Sequence, residues 1–122
     1  MRDKIRHKSI FFLSHSVSVA QTVWVPHSDV YRQSSNWLVK CDLAGVKAED
    51  LNVSVTGSRL TISGVRRDPL AEHGWVHYSM EIPYSRFACT VNLPHDLEQA
   101  GLETEYLDGM LLVRVRFDEK QR

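Results

Sequence analysis

The groups in this 122-residue chain that could do chemistry are six histidines, two cysteines and equal numbers of basic and acidic side chains. A catalytic centre needs a nucleophile beside a base, paired carboxylates, a glycine-rich phosphate cradle or a metal site. The chain contains neither a G-x-S-x-G elbow nor a G-x-x-x-x-G-K loop. Glu72, His73 and His77 could bring two imidazoles and a carboxylate together, but they lie in a polar stretch rather than at fixed helical spacing. A solvated loop is the better reading, with no metal and no other cofactor expected. His27 and His95 each stand beside a proline and read as surface residues. Glu103, Glu105 and Asp108 read as the outward face of an exposed strand, where like charges oppose indiscriminate edge pairing. Cys41 and Cys89 are too few for a disulfide scaffold and form no C-x-x-C pair, which suits a reducing cytoplasm. Cys89 is in period with Phe87, Val91 and Leu93, so it is expected to be a buried, slowly reacting thiol on an apolar face. An enzyme is not indicated.

Bulk properties narrow the partners. The 15 basic residues cancel the 15 acidic ones, so the basic excess that nucleic-acid binding draws on is missing. No segment approaches the ~20 apolar residues of a membrane span. The basic start of residues 1–20 leads into only a short apolar run, Ile10 to Leu13, broken by Ser14, His15 and Ser16, which is short for a secretory signal.

Alternation supplies the elements. Residues 1–23 show no sustained period and read as a flexible arm. From Trp24 short β-type runs follow one another. Trp37, Val39 and Cys41 alternate with Leu38, Lys40 and Asp42, and Leu51, Val53 and Val55 alternate with Asn52, Ser54 and Thr56. Gly57-Ser58 turns into a strand from Arg59 to Val65. The polar stretch Arg66 to Gly74, with Pro69 inside it, is a loop; strand character returns over Trp75 to Ile82 and Arg86 to Leu93. Leu102 to Tyr106 and Met110 to Phe117 form a hairpin across Asp108-Gly109. Helix-like pattern is confined to about one turn at Lys47 to Asp50 and one at Asp96 to Ala100, which excludes a parallel α/β fold. Trp37 is expected in the core, whereas Trp24 and Trp75 flank the arm and the loop and could cover apolar surface at a subunit contact or pack in their own domain.

The segments Asp42 to Leu51, Leu60 to Gly64, Phe87 to Pro94 and Asp108 to Leu111, in this order and spacing, resemble the small heat-shock protein (α-crystallin) family over about Val25 to Phe117. Gly45, Pro94, Asp108, Gly109 and Leu111 carry the turn motifs. Gly45 and Gly64 are read as points where a strand ends or turns sharply. Ala44 stands where the family usually has Pro, and Ser85 where it has Gly. Cys89 stands where the family usually has an arginine that organises the dimer interface, so that ion-pairing contact does not carry over. After Phe117 come only Asp118 to Arg122, without the family's Ile-x-Ile/Val segment.

The resemblance implies an all-β, immunoglobulin-like antiparallel β-sandwich of seven to nine strands over residues 24–117, with residues 118–122 as a short tail. It implies an ATP-independent chaperone, a holdase that keeps unfolding client proteins in solution and assembles with itself at least as a dimer. A short strand near Val76 to Met80, within Trp75, Val76, His77 and Tyr78, would pair with the partner's sheet. A groove between Leu51, Val53 and Val55 on one side and Leu102 and Thr104 on the other would take an extended peptide. Val17 and Val19, at the two-residue spacing that presents both side chains on one face, are a segment that could dock there. The rival reading is a CS-domain co-chaperone acting with an ATP-driven chaperone, against which the long segment Arg66 to Ser79 argues. A sandwich binding a small ligand or carbohydrate would want a cluster of aromatics that the sequence does not show.

Overall fold

The protein was analysed as a computed structural model, which describes residues 24–117. Seven strands form two antiparallel sheets: β1 (Ser28–Gln33), β2 (Asn36–Asp42), β3 (Leu51–Thr56), β4 (Arg59–Val65), β5 (Arg86–Asn92), β6 (Gly101–Leu107) and β7 (Met110–Arg116). The first sheet has the order β1-β2-β7-β6 and the second β3-β4-β5. The fold is the expected all-β sandwich. Its helical content among the described residues is three short 3-10 turns, Ala48–Asp50, Pro69–His73 and Leu97–Gln99.

Period-two patterning explains the layers. Val39 and Cys41 of β2, Leu111, Val113 and Val115 of β7, and Leu102 and Tyr106 of β6 point inward and are buried. They meet Leu60 and Ile62 of β4 and Phe87, Cys89 and Val91 of β5 from the other sheet. The outward face of the first sheet carries ion pairs: Glu105 pairs with Arg114 at 3.6 Å and Glu103 with Arg116 at 3.5 Å, so the acidic row of β6 faces away from the core and is half-buried under these arginines. At the β6–β7 hairpin Asp108 and Gly109 both have positive φ, 54° and 79°, the conformation of the tight turn that an Asp-Gly pair favours.

Four features differ from the sequence reading. The strand β1 was not legible: Ser28–Gln33 holds only Val30 and Tyr31 as large apolar residues, and as an edge strand it buries little and shows no alternation. Trp75 to Ile82 forms no strand in the single chain, because its backbone finds no ladder partner there. Gly64 does not end a strand; it lies inside β4, opposite Leu51 and Phe87, where the Phe87 ring occupies the space a side chain would need. Trp37, expected in the core, is only half-buried and packs against it from outside.

Candidate functional site

Among the described residues, the side chains with catalytic chemistry do not converge. His77 Nε2 lies 2.7 Å from an Asp68 carboxylate oxygen and His73 Nδ1 lies 3.2 Å from the Pro69 carbonyl, so neither imidazole turns toward Glu72 to make a metal set. What the fold presents instead are two apolar, open-edged surfaces.

The first is the loop between β4 and β5. Its neck is closed by the Arg66 amide donating to the Ser85 carbonyl at 3.0 Å. The Arg66 guanidinium donates to the Pro83 carbonyl at 3.3 Å and lies over the Trp24 ring at 4.2 Å. Trp24 in turn donates from its indole nitrogen to the Ser85 carbonyl at 3.4 Å and packs against Phe87, with ring centroids 5.2 Å apart. Of the two options for Trp24, packing within its own domain is the one realised. Arg67 forks onto Asp50 with bonds of 3.0 and 3.1 Å, tying the loop's first residues to the entry of β3. That guanidinium holds the Asp50 carboxyl below the usual carboxylate range. Asp68 caps the 3-10 turn Pro69–His73 by accepting from the Leu70 amide, and His77 stacks on Tyr84. On this pinned frame Trp75 is 69%, Val76 87% and Tyr78 fully exposed, with Met80 and Ile82 also open to solvent. Val30 and Tyr31 of the β1 edge add to the exposed apolar set.

The second surface lies at the opposite side of the sandwich, where β3 and β6 are each the last strand of their sheets. Leu51, Val53 and Val55 line one edge half-buried, and Leu102 and Thr104 are buried along the other. The 3-10 turn after β5 closes one end: Leu97 donates to the Gly57 carbonyl at 2.8 Å and the Gly57 amide to Glu98 at 3.0 Å. Tyr106 holds β6 in place; its hydroxyl lies 2.7 Å from both the Leu43 and Val46 carbonyls and shares its proton between them. Gly45 makes the turn these carbonyls flank, with φ 85°, while Leu111 is core and Pro94 follows the end of β5. Val17 and Val19 lie outside the described residues.

Cys89 is 4% exposed and points into its own sandwich, where its thiol donates to Ser28 Oγ at 3.5 Å. The expected burial of this thiol is therefore observed. Sequence reasoning missed the contributions of Arg66 and the β1 edge. Arg66 reads as one more polar loop residue, and no local pattern foretells that its guanidinium covers an indole.

Two sheets, a polar outer face and a long loop projecting apolar side chains define an α-crystallin-type sandwich. A family model described as the Hsp20/alpha crystallin family matches residues 29–122, and the chain belongs to that family, one of chaperones rather than enzymes. It is 27% identical over 88 residues to Spore protein SP21 of Stigmatella aurantiaca, covering 72% of this chain and 52% of that protein. It is 24% identical to Small heat shock protein IbpB of Salmonella typhi over 79% of this chain and 65% of that one. Among solved structures, Heat shock protein 16.0 from Schizosaccharomyces pombe superposes with a TM-score of 0.70 at 25% identity, over 82% of this chain and 93% of that one. The chain thus spans about half to two-thirds of the length of the curated relatives it matches first. No helix among the described residues is long and apolar enough to cross a membrane.

Proposed function

We propose that this chain is an ATP-independent holdase of the cytoplasm, active as a dimer or a larger homo-oligomer. The single observation that carries the reading is the exposed apolar row of the loop, Trp75, Val76, Tyr78, Met80 and Ile82, held out from the sandwich by a fixed neck. An apolar surface of this kind is favourable to cover, at roughly 25 cal/mol per Å². Two covers fit it: a second copy, through strand addition of Val76 to Met80 onto the β1 edge, and the exposed apolar segments of an unfolding client. Weak contacts of the second kind add through multivalency in an oligomer. The long loop also argues against the CS-domain reading.

The test is a heated or reduced client followed by light scattering. Stoichiometric protein is expected to suppress aggregation with no nucleotide present and to the same extent with ATP. Absence of suppression at several-fold molar excess defeats the holdase reading, and an ATP-dependent effect points to a co-chaperone.

In this reading the β3–β6 groove takes an extended segment with two β-branched side chains two residues apart, which Val17-Ser18-Val19 supplies. The variant Val17→Asp, Val19→Asp is then expected to have a smaller native mass than the wild type, or the same mass with faster amide exchange over Leu51 to Thr56. Unchanged mass together with unchanged exchange removes the docking role.

A further inference from the structure

None of the surfaces above uses Cys41 or Cys89, although the fold brings them together. Cys41 lies in β2 and is 0% exposed; Cys89 lies in β5, in the opposite sheet, and is 4% exposed. Ser28 of β1 is the register partner of Cys41, and its Oγ lies 3.5 Å from the Cys89 sulfur. Residues opposed on one face of a strand pair have Cβ atoms about 4.5–5.5 Å apart. Cys89 therefore reaches across the core onto the Ser28–Cys41 pair.

We propose that Cys41 and Cys89 are a peroxide-sensitive modification site, forming a reversible disulfide between the two sheets of the sandwich. The two sulfurs divide the work. Hydrogen bonds from Cys41 and then Ser28 favour the thiolate on Cys89 against the opposing effect of burial, lowering its pKa from the usual thiol range. Its bond to Cys89 and its burial hold Cys41 protonated, raised above the usual thiol range. The Cys89 thiolate attacks one oxygen of hydrogen peroxide; the S–O bond forms, the O–O bond breaks, and hydroxide leaves to take up a proton. Cys89 is now a sulfenic acid, oxidised by two electrons. Cys41 then attacks that sulfur, the S–S bond forms, the S–O bond breaks, and the hydroxyl departs as water with the Cys41 proton. With hydrogen peroxide the sum is two thiols and one peroxide giving one disulfide and two waters.

Access and closure both follow from strand position. Ser28 covers Cys89 from β1, an edge strand whose other five residues are exposed, so local opening of β1 uncovers the thiol. A disulfide needs Cα atoms within about 7 Å, closer than the ~10 Å between packed sheets, so β5 must be drawn toward β2. β5 is the edge of its sheet, bonded along its length only to β4 with a single bridge from Trp24 to Phe87, so closure shifts one ladder and repacks the buried Phe87 and Val91 beside it.

The full chain is treated with near-stoichiometric hydrogen peroxide, quenched by alkylation and weighed intact. The expected product has lost two hydrogens, yields one linked peptide pair containing Cys41 and Cys89, and returns to the dithiol with a reductant. It also melts about 10 °C higher, a loop-entropy gain reduced by the strain of closure. Cys41→Ser is expected to stop at a Cys89 sulfenic acid that dimedone traps, and Cys89→Ser to leave Cys41 unreacted over the same time. Oxygen additions to wild type without a link, a disulfide between chains, or no reaction until denaturant is added each overturns the proposal.

Discussion

Replacing Gly64 by alanine is expected to cost about 3 kcal/mol of folding stability, a large part of the ~5–15 kcal/mol that holds a domain together. A Cβ built at Gly64 falls 2.2 Å from the Asp50 carbonyl oxygen and 2.9 Å from the Phe87 ring. Neither neighbour yields easily. The Asp50 backbone is the last residue of the 3-10 turn that feeds β3, its amide bonded to the Lys47 carbonyl at 2.8 Å and its carboxylate forked by Arg67. Phe87 is 2% exposed and sandwiched between the core and Trp24. Relief therefore requires β3 to part from β4 at the Leu51–Gly64 pair, where β3 begins. Gly101→Ala is the control, since its nearest non-neighbour atom is the Arg116 carbonyl oxygen at 4.0 Å, and it is expected within about 0.5 kcal/mol of wild type. Urea midpoints of the two variants measure the contrast, and equal midpoints would falsify the packing described for Gly64.

The way Gly64 was misread shows what a sequence can transmit. Leu60-Thr61-Ile62-Ser63-Gly64 states its period plainly, and the strand followed. The reason for the glycine is non-local: a ring 23 residues onward and a carbonyl from the preceding strand's entry crowd the same point. The strongest local signals, the alternating runs of β2, β4, β5, β6 and β7 and the Asp108-Gly109 turn, became elements within a residue or so of where the sequence places them. The helix-like turns at Ala48–Asp50 and Leu97–Gln99 were legible for the same reason. An edge strand has no such signature. Ser28–Gln33 gains its conformation from pairing with β2, and its composition records mainly that solvent touches it. Trp75 to Ile82 is the reverse case, with strand-forming residue types and no strand partner in the chain. The groove residues Leu51, Val53, Val55, Leu102 and Thr104 are assigned through the family resemblance; the sheet order shows only that β3 and β6 are each the last strand of a sheet.

That mismatch between residue type and conformation in the loop leads to the largest expected effect on assembly. The double variant Val76→Asp, Tyr78→Asp is expected to raise the dimer dissociation constant at least a hundredfold while leaving the melting temperature of the sandwich unchanged. Both side chains are open to solvent in the single chain, so carboxylates there cost the monomer fold little. In a dimer built by adding this segment to the partner's β1 edge, both would lie on one face of the extended sheet, beside one of the oppositely pointing Val30 and Tyr31, and lose water, and an unpaired carboxylate without solvent costs several kcal/mol. A hundredfold change corresponds to about 2.7 kcal/mol, less than one such burial, which makes the estimate a floor. Native mass spectrometry or light scattering across a dilution series gives the constant, and thermal unfolding reports the fold. Val30→Asp approaches the same contact from the other side and is expected to weaken the dimer too, since a strand added to β1 must pass that residue. A dimeric mass retained by both variants at micromolar concentration removes the loop from the interface. The exposed apolar row would then be left to clients alone, and holdase activity should fall in proportion to the apolar area the two aspartates remove.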